Sequence, residues 1–143
     1  MESTSFSNTS LIILVIFLFI FFFTFMWLFV TFILSRLGWS DLAIKFQYDE
    51  EFIGTEVGVI SLSINWVNYR NIIVLEYNQY GIYLKPFAMF RIFNKPLFIP
   101  WTEVKEVRDR NVLFIGYKEI VVGEPVIAKL RMSAGAFNRI QVN

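Results

Sequence analysis

The chain contains neither histidine nor cysteine. It therefore lacks the usual proton carrier near neutral pH, the thiolate nucleophile, and the imidazole and thiolate ligands of most transition-metal sites. Carboxylates, lysines and hydroxyls are what remain for catalysis. Glu103, Glu106 and Asp109 form the densest acidic set, but Lys105, Arg108 and Arg110 alternate with them. That is the pattern of a solvated, mutually neutralised face and not of a convergent acid–base pair. Asp49-Glu50-Glu51 offers the hard oxygens that calcium takes, without the ligand spacing or glycine turn of a calcium loop, and reads as a solvated loop. No Gly-x-Gly-x-x-Gly or phosphate-binding Gly-Lys-Ser/Thr sequence is present. The expectation is a protein that is not an enzyme, with no catalytic residues, no cofactor and no metal.

One segment has the composition of a binding surface. From Lys85 to Lys95 the cations Lys85, Arg91 and Lys95 are interspersed with Phe87, Met89, Phe90, Ile92 and Phe93. Such a loop can bury aromatics at a headgroup boundary while its cations meet anionic lipid, each cation contributing about 1 kcal/mol. The plainer reading puts Phe87, Phe90 and Phe93 in the domain core, with the cations solvated and the segment extending its flanking strands.

The element that would hold this segment near a membrane is the run Leu11 to Leu34. Its 24 consecutive residues carry no charge and include eight phenylalanines. As a helix the run is about 36 Å long, enough to cross a hydrocarbon core of about 30 Å. A signal peptide would have a cationic start, a shorter apolar core and a small-x-small cleavage site, and none of these is evident. The spacing of Phe17, Phe21, Phe25 and Phe29 could form a contact face, but without small residues beside them lipid-facing filler is the simpler account. All Lys and Arg lie after the span, starting with Arg36, whereas the preceding flank carries only Glu2. By the positive-inside rule the N-terminus is expected outside and the rest in the cytoplasm. The expected organisation is an external tail over 1–10, a transmembrane helix over 11–34, a juxtamembrane helix and linker over 35–54, and a β domain over 55–143.

Residues 35–143 carry 13 cations and 11 anions, too balanced for a nucleic-acid footprint. Arg36 and Trp39 have the character of an interfacial anchor, although Trp39 could equally pack on the domain. Ser40 or Asp41 offers an N-cap for a short helix from about Asp41 to Phe46. From Thr55 onward, short Val-, Ile-, Tyr- and Phe-rich runs alternate with turn residues, which predicts about seven antiparallel strands. In Thr55 to Asn65 the apolar phase switches between Val59 and Ile60, the mark of a bulge. Asn71–Asn78 and Gly81–Lys85 form a hairpin, with Gly81 able to supply left-handed backbone. Leu97-Phe98-Ile99, bracketed by Pro96 and Pro100, fits an edge. Val104–Arg110, Val112–Val122 and Val126–Arg131 follow, with Val126, Ala128 and Leu130 inward. Ser133 caps a terminal helix reaching Phe137 and Ile140.

This order, with Gly81-Ile82-Tyr83-Leu84 and Leu97-Phe98-Ile99-Pro100-Trp101-Thr102-Glu103-Val104, resembles the pleckstrin-homology-like domains of small bacterial membrane proteins and the related GRAM domains over about Thr55 to Ile140. The resemblance implies a small PH-like barrel or sandwich with a short C-terminal helix. It carries no phosphoinositide site across, because the loop Asn65 to Arg70 has a single cation, Arg70. The function expected is a non-catalytic binding module at the membrane surface, its partners the lipid bilayer and either anionic lipid headgroups or a membrane protein. The alternative is a structural, assembly or accessory subunit of a membrane complex, self-associating by edge pairing. A reporter active only outside the cytoplasm, fused after Asn143, is expected to be silent, and a cytoplasm-active reporter to work; the reverse pattern would overturn the orientation.

Overall fold

The computed structural model describes residues 2–140, which form two compact units dividing between Ile33 and Leu34. α1 (Glu2–Leu34), up to Ile33, makes up the first. Every apolar side chain from Leu11 to Phe25 is more than half exposed. The two threonines inside the apolar run satisfy their own hydroxyls, Thr24 donating to the Ile20 carbonyl and Thr31 to that of Trp27, both at 2.8 Å. α1 also takes in residues 2–10, set apart as a tail on sequence, because a nucleated helix extends at little cost. Met1 lies outside the described residues.

In the second unit Ser35–Trp39 is a turn of π-helix, with the Ser40 N–H donating back five residues to the Ser35 carbonyl. It leads directly into α2 (Ser40–Phe46). Neither Ser40 nor Asp41 caps α2, contrary to expectation. The preceding residue, Trp39, is already helical at φ −70°, so no fresh helix start needs capping.

Seven strands follow: β1 (Thr55–Ile64), β2 (Val67–Tyr77), β3 (Gly81–Pro86), β4 (Leu97–Pro100), β5 (Val104–Val112), β6 (Ile115–Val122) and β7 (Ala128–Ser133). All pairings are antiparallel, in the order β4-β3-β2-β1-β7-β6-β5, giving one curled sheet with β4 and β5 at its two edges. β1 belongs to both halves: it pairs with β2 along its length and with β7 over Leu62–Ile64. Two register shifts, at Glu56/Gly58 and Ile60/Leu62, permit this; Gly58 takes φ +113° at the first. β2 begins four residues earlier than expected, because Val67 and Tyr69 are both buried and carry the alternation back to a tight turn at Asn65-Trp66. Val126 is 56% exposed and precedes β7, which buries Ala128, Leu130 and Met132 instead. β4, bounded by Pro96 and Pro100, is an edge strand.

The sheet curls around Ile60, Leu62, Ile64, Ile73, Leu75, Ile82, Leu84, Leu97, Ile99, Ile120, Val122 and Leu130, with Trp39, Leu42 and Phe46 packed into the same core. α3 (Ala134–Asn138) adds Ala136, its first turn capped by the Ser133 hydroxyl, which accepts from the Ala136 N–H at 3.1 Å. The turn before β3 is closed by Asn78, whose side-chain oxygen accepts from the Tyr80 and Gly81 N–H groups. Gly81 is not left-handed there. It lets β4 approach, since a Cβ would lie 2.3 Å from the Ile99 carbonyl oxygen and 2.9 Å from Pro100 Cα. Gly81→Ala must push backbone apart and is expected to cost about 1–3 kcal/mol in denaturant unfolding followed by tryptophan fluorescence.

Candidate functional site

β3 stops at Pro86, opposite Ile73, while β2 continues on to Val67. The connection to β4 therefore runs beside the first half of β2, held at its start by the Phe87 N–H donating to the Ile72 carbonyl at 3.0 Å. Ala88–Phe90 forms a 3₁₀ turn. The Arg91 guanidinium donates to the Pro86 carbonyl at 2.8 Å, and the buried Asn94 amide donates to that of Phe90 at 3.1 Å. The segment is thus a tight, self-bonded loop and extends neither strand.

Its apolar side chains are not core. Met89 and Ile92 are 64% and 62% exposed, Phe87 and Phe93 39% and 37%, and Phe90 is half-buried. Arg91 and Lys95 are exposed and Lys85 half-buried; Lys95 lies 3.8 Å from Asp49 in a solvated pair of little energetic consequence. The sequence reading centred on the phenylalanines. Met89 and Ile92 are the more exposed pair, and the three-residue spacing was the available signal: in a 3₁₀ path Phe87, Phe90 and Phe93 share one side and Met89 and Ile92 another.

The loop is tied to the first residues of the second unit. The Ser35 hydroxyl donates to the Phe93 carbonyl and the Trp39 indole N–H to the Lys95 carbonyl, both at 2.7 Å. Trp39 is fully buried, edge-on to Tyr69 at 5.5 Å, and this burial removes it from the headgroup-anchor role that its sequence position suggests. Arg36, the other residue given that role, is exposed. The Tyr69 hydroxyl donates to the Leu34 carbonyl at 2.9 Å, and burial pushes its phenol up to about 12, keeping it a donor at any physiological pH. Gly38 lies against Ile64, where a Cβ would come within 3.2 Å of the carbonyl oxygen.

The same end of the sheet carries the Asn65-Trp66 turn, whose Trp66 is 92% exposed and was not singled out on sequence. Asn65 exchanges two hydrogen bonds with Lys129, which brings the β6–β7 connection alongside. One end of the domain thus gathers Ser35–Trp39, the Phe87–Pro96 loop, Trp66 and the approach to β7.

Several of the acidic residues elsewhere face cations. Glu103 pairs with Lys45 at 3.1 Å, Glu106 with Arg108 at 2.6 Å, and Asp109 with Lys118. Glu119, on the outer face of β6, is the buried exception. Its carboxylate accepts from Arg131 at 2.9 Å and has Arg108 and Arg110 at 3.8 and 3.6 Å, a row crossing three strands. Desolvation raises its carboxyl, but the Arg131 hydrogen bond and the surrounding cations outweigh it and hold the group below the ordinary value of 4.5. A depressed folded value means that Glu119 stabilises fully above about pH 4.5 and progressively less as pH falls through the folded value. Glu119→Gln is expected to lower stability by about 1 kcal/mol at pH 7, with the gap to wild type closing in unfolding curves taken below pH 4.

Compared with known protein families, curated proteins and solved structures, the chain matches none.

Proposed function

We propose that this is a single-pass membrane protein whose PH-like β domain is a non-catalytic binding module held against the cytoplasmic membrane surface. α1 crosses the bilayer over residues 11–34 with its N-terminus outside, and the Phe87–Pro96 loop meets anionic lipid headgroups. The observation that carries this reading is that the apolar, basic loop is hydrogen-bonded to Ser35 and Trp39, within five residues of the end of the uncharged run. If Leu34 ends the span, chain connectivity alone keeps the loop at the interface. Tethering then makes up for the weakness of the attraction, because lipid is always at high local concentration. The uncovered apolar flanks of α1 and its internally satisfied threonines support a lipid environment. The PH-like reading is supported by two meanders, β1–β4 and β5–β7, joined through β1 and β7 and followed by α3.

The absence of native cysteine makes a direct test available. Full-length protein carrying Ile92→Cys or Ile53→Cys, labelled with a polarity-sensitive fluorophore, is reconstituted in phosphatidylserine-containing vesicles. Ile53 is 84% exposed beside the turn at the other end of β2. The label at 92 is expected to be blue-shifted and quenched by a lipid-borne quencher, while that at 53 stays water-like. Lys85→Gln with Lys95→Gln should weaken the quenching and its salt dependence, since these charges act over about 8 Å at physiological ionic strength. Equal, water-like signals at both positions would overturn the lipid contact.

A further inference from the structure

Ile82, Leu84, Leu97 and Ile99 point into the core, so Tyr83 and Phe98, paired between β3 and β4, lie on the opposite face of the sheet. The connection from α2 to β1 covers them with two more rings. Phe52 stacks on Tyr83 at 4.6 Å, and Tyr48 meets Tyr83 and Phe98 at 6.0 and 5.6 Å. Two hydrogen bonds pin the connection there: the Tyr48 N–H donates to the Pro96 carbonyl at 2.9 Å, and the Asn78 amide donates to that of Ile53 at 3.1 Å. Gly54 fits where no side chain would, because a Cβ would lie 2.4 Å from the Phe52 ring and 2.5 Å from the Tyr77 carbonyl oxygen.

The aromatic cluster is not closed. Beside it opens a hollow of about 590 Å³ lined by Tyr48, Phe52, Tyr80 and Phe98, by Glu51, and by Ile53, Asn78 and Gln79. Its one formal charge is the Glu51 carboxylate, exposed and without an ion pair among the described residues; Asp49, two residues earlier, is taken by Lys95. The faces of aromatic rings carry the negative part of their quadrupole, so four rings and a carboxylate attract the same thing, a cation. The chain does not supply it. Among the described residues the domain's cation–π contacts are Lys45 over Phe46 and Lys118 over Phe137, and neither reaches the hollow's rings. An anion would be repelled by Glu51, and an uncharged apolar ligand would leave that carboxylate unused. A primary ammonium brings three N–H donors that need acceptors. Asn78 has little to offer them, since its side-chain oxygen already accepts from the Tyr80 and Gly81 N–H groups. A quaternary ammonium carries its charge with no N–H donor, and ring faces with one counter-charge satisfy it.

We propose that this hollow is a binding site for a quaternary ammonium group, held by Tyr48, Phe52, Tyr80 and Phe98 with Glu51 supplying the counter-charge. The site stands or falls separately from the lipid contact of the Phe87–Pro96 loop. Its test titrates full-length protein in uncharged maltoside micelles with choline, binding being read by saturation-transfer NMR at the trimethylammonium protons. Choline is expected to bind saturably, and its uncharged carbon isostere at least about tenfold more weakly. Glu51→Gln is expected to weaken choline about threefold, and Glu51→Gln with Tyr80→Leu about tenfold. Both side chains are exposed, Tyr80 by 67%, so the double variant should unfold at the wild-type temperature. Equal binding of choline and its isostere, choline binding that survives the double variant unchanged, or no saturable transfer at all would each overturn the proposal. Repeating the titration in phosphatidylcholine vesicles identifies the source of the group. Transfer that persists there supports a soluble ligand, and transfer seen in micelles but lost in those vesicles supports the choline headgroup of lipid in the same site.

Discussion

The Trp39 indole lies wholly inside the end of the curled sheet, and its one polar atom is satisfied by the Lys95 carbonyl at 2.7 Å. An indole N–H left unpaired in that position would cost about 1–3 kcal/mol. The ring can therefore be buried only where the lead-in to β4 brings a carbonyl to meet it. The Phe87–Pro96 loop has the reciprocal need, since its Phe93 and Lys95 carbonyls find their donors in Ser35 and Trp39. Loop and π-turn are thus conditional on each other, and Tyr69 locks the pair by stacking edge-on to the indole while donating to Leu34. Without the indole, the core would lose its largest fully buried side chain at the point where α2 joins the sheet.

That arrangement requires β1 to face two ways. A ten-residue strand with unbroken alternation would send Val57 to the face opposite Ile60, Leu62 and Ile64; the extra residue before Gly58 changes the phase so that all four turn toward the core, and near Ser61 the extra residues belong to β2, where Tyr69 and Ile73 face Leu62 and Ile60. Ser61 and Asn71 hold the second irregularity, the Ser61 hydroxyl donating to the Asn71 side chain and accepting from its N–H, with Asn71 at φ +50°. The bend lets β7 pair with the C-terminal half of β1, which in turn sets the β6–β7 connection beside Trp66.

The strands and terminal helix were legible because the interior strands carry their own alternation and most boundaries a turn residue. The prolines around β4 marked it as an edge, and the change of phase in β1 announced an irregularity, which falls at Glu56/Gly58, three residues before the switch read between Val59 and Ile60. What escaped has identifiable causes. The β5–β6 turn is hidden because Leu113 and Phe114 are not turn formers, so Val112 to Val122 reads as one strand. The start of β2 was lost because Asn65 to Arg70 looks polar, although Val67 and Tyr69 point inward. Trp39 has the same composition as an interfacial tryptophan, and only the distant Lys95 carbonyl decides where it goes, a contact 56 residues away. The Lys85–Lys95 loop was visible as a composition; that it bonds to Ser35 depends on where β3 happens to stop relative to β2, which is a matter of register and not of local sequence.

The two apolar surfaces of the domain differ in the charges that accompany them, and the difference bears on what each can bind. At the Ser35 end, Met89 and Ile92 stand among Lys85, Arg91 and Lys95, with Asp49 the single carboxylate paired there. A net positive rim around apolar side chains suits an anionic, laterally fluid surface that needs no fixed partner geometry. At the β5–β6 end Asp109 pairs with Lys118 while Arg108, Arg110 and Arg131 share the one carboxylate of Glu119, and Leu113 and Phe114 take left-handed backbone. Between them the Arg108–Glu119–Arg131 row binds β5, β6 and β7 together across their outer face. The β5–β6 tip is thus carried on a cross-braced three-stranded support and not on a loose hairpin.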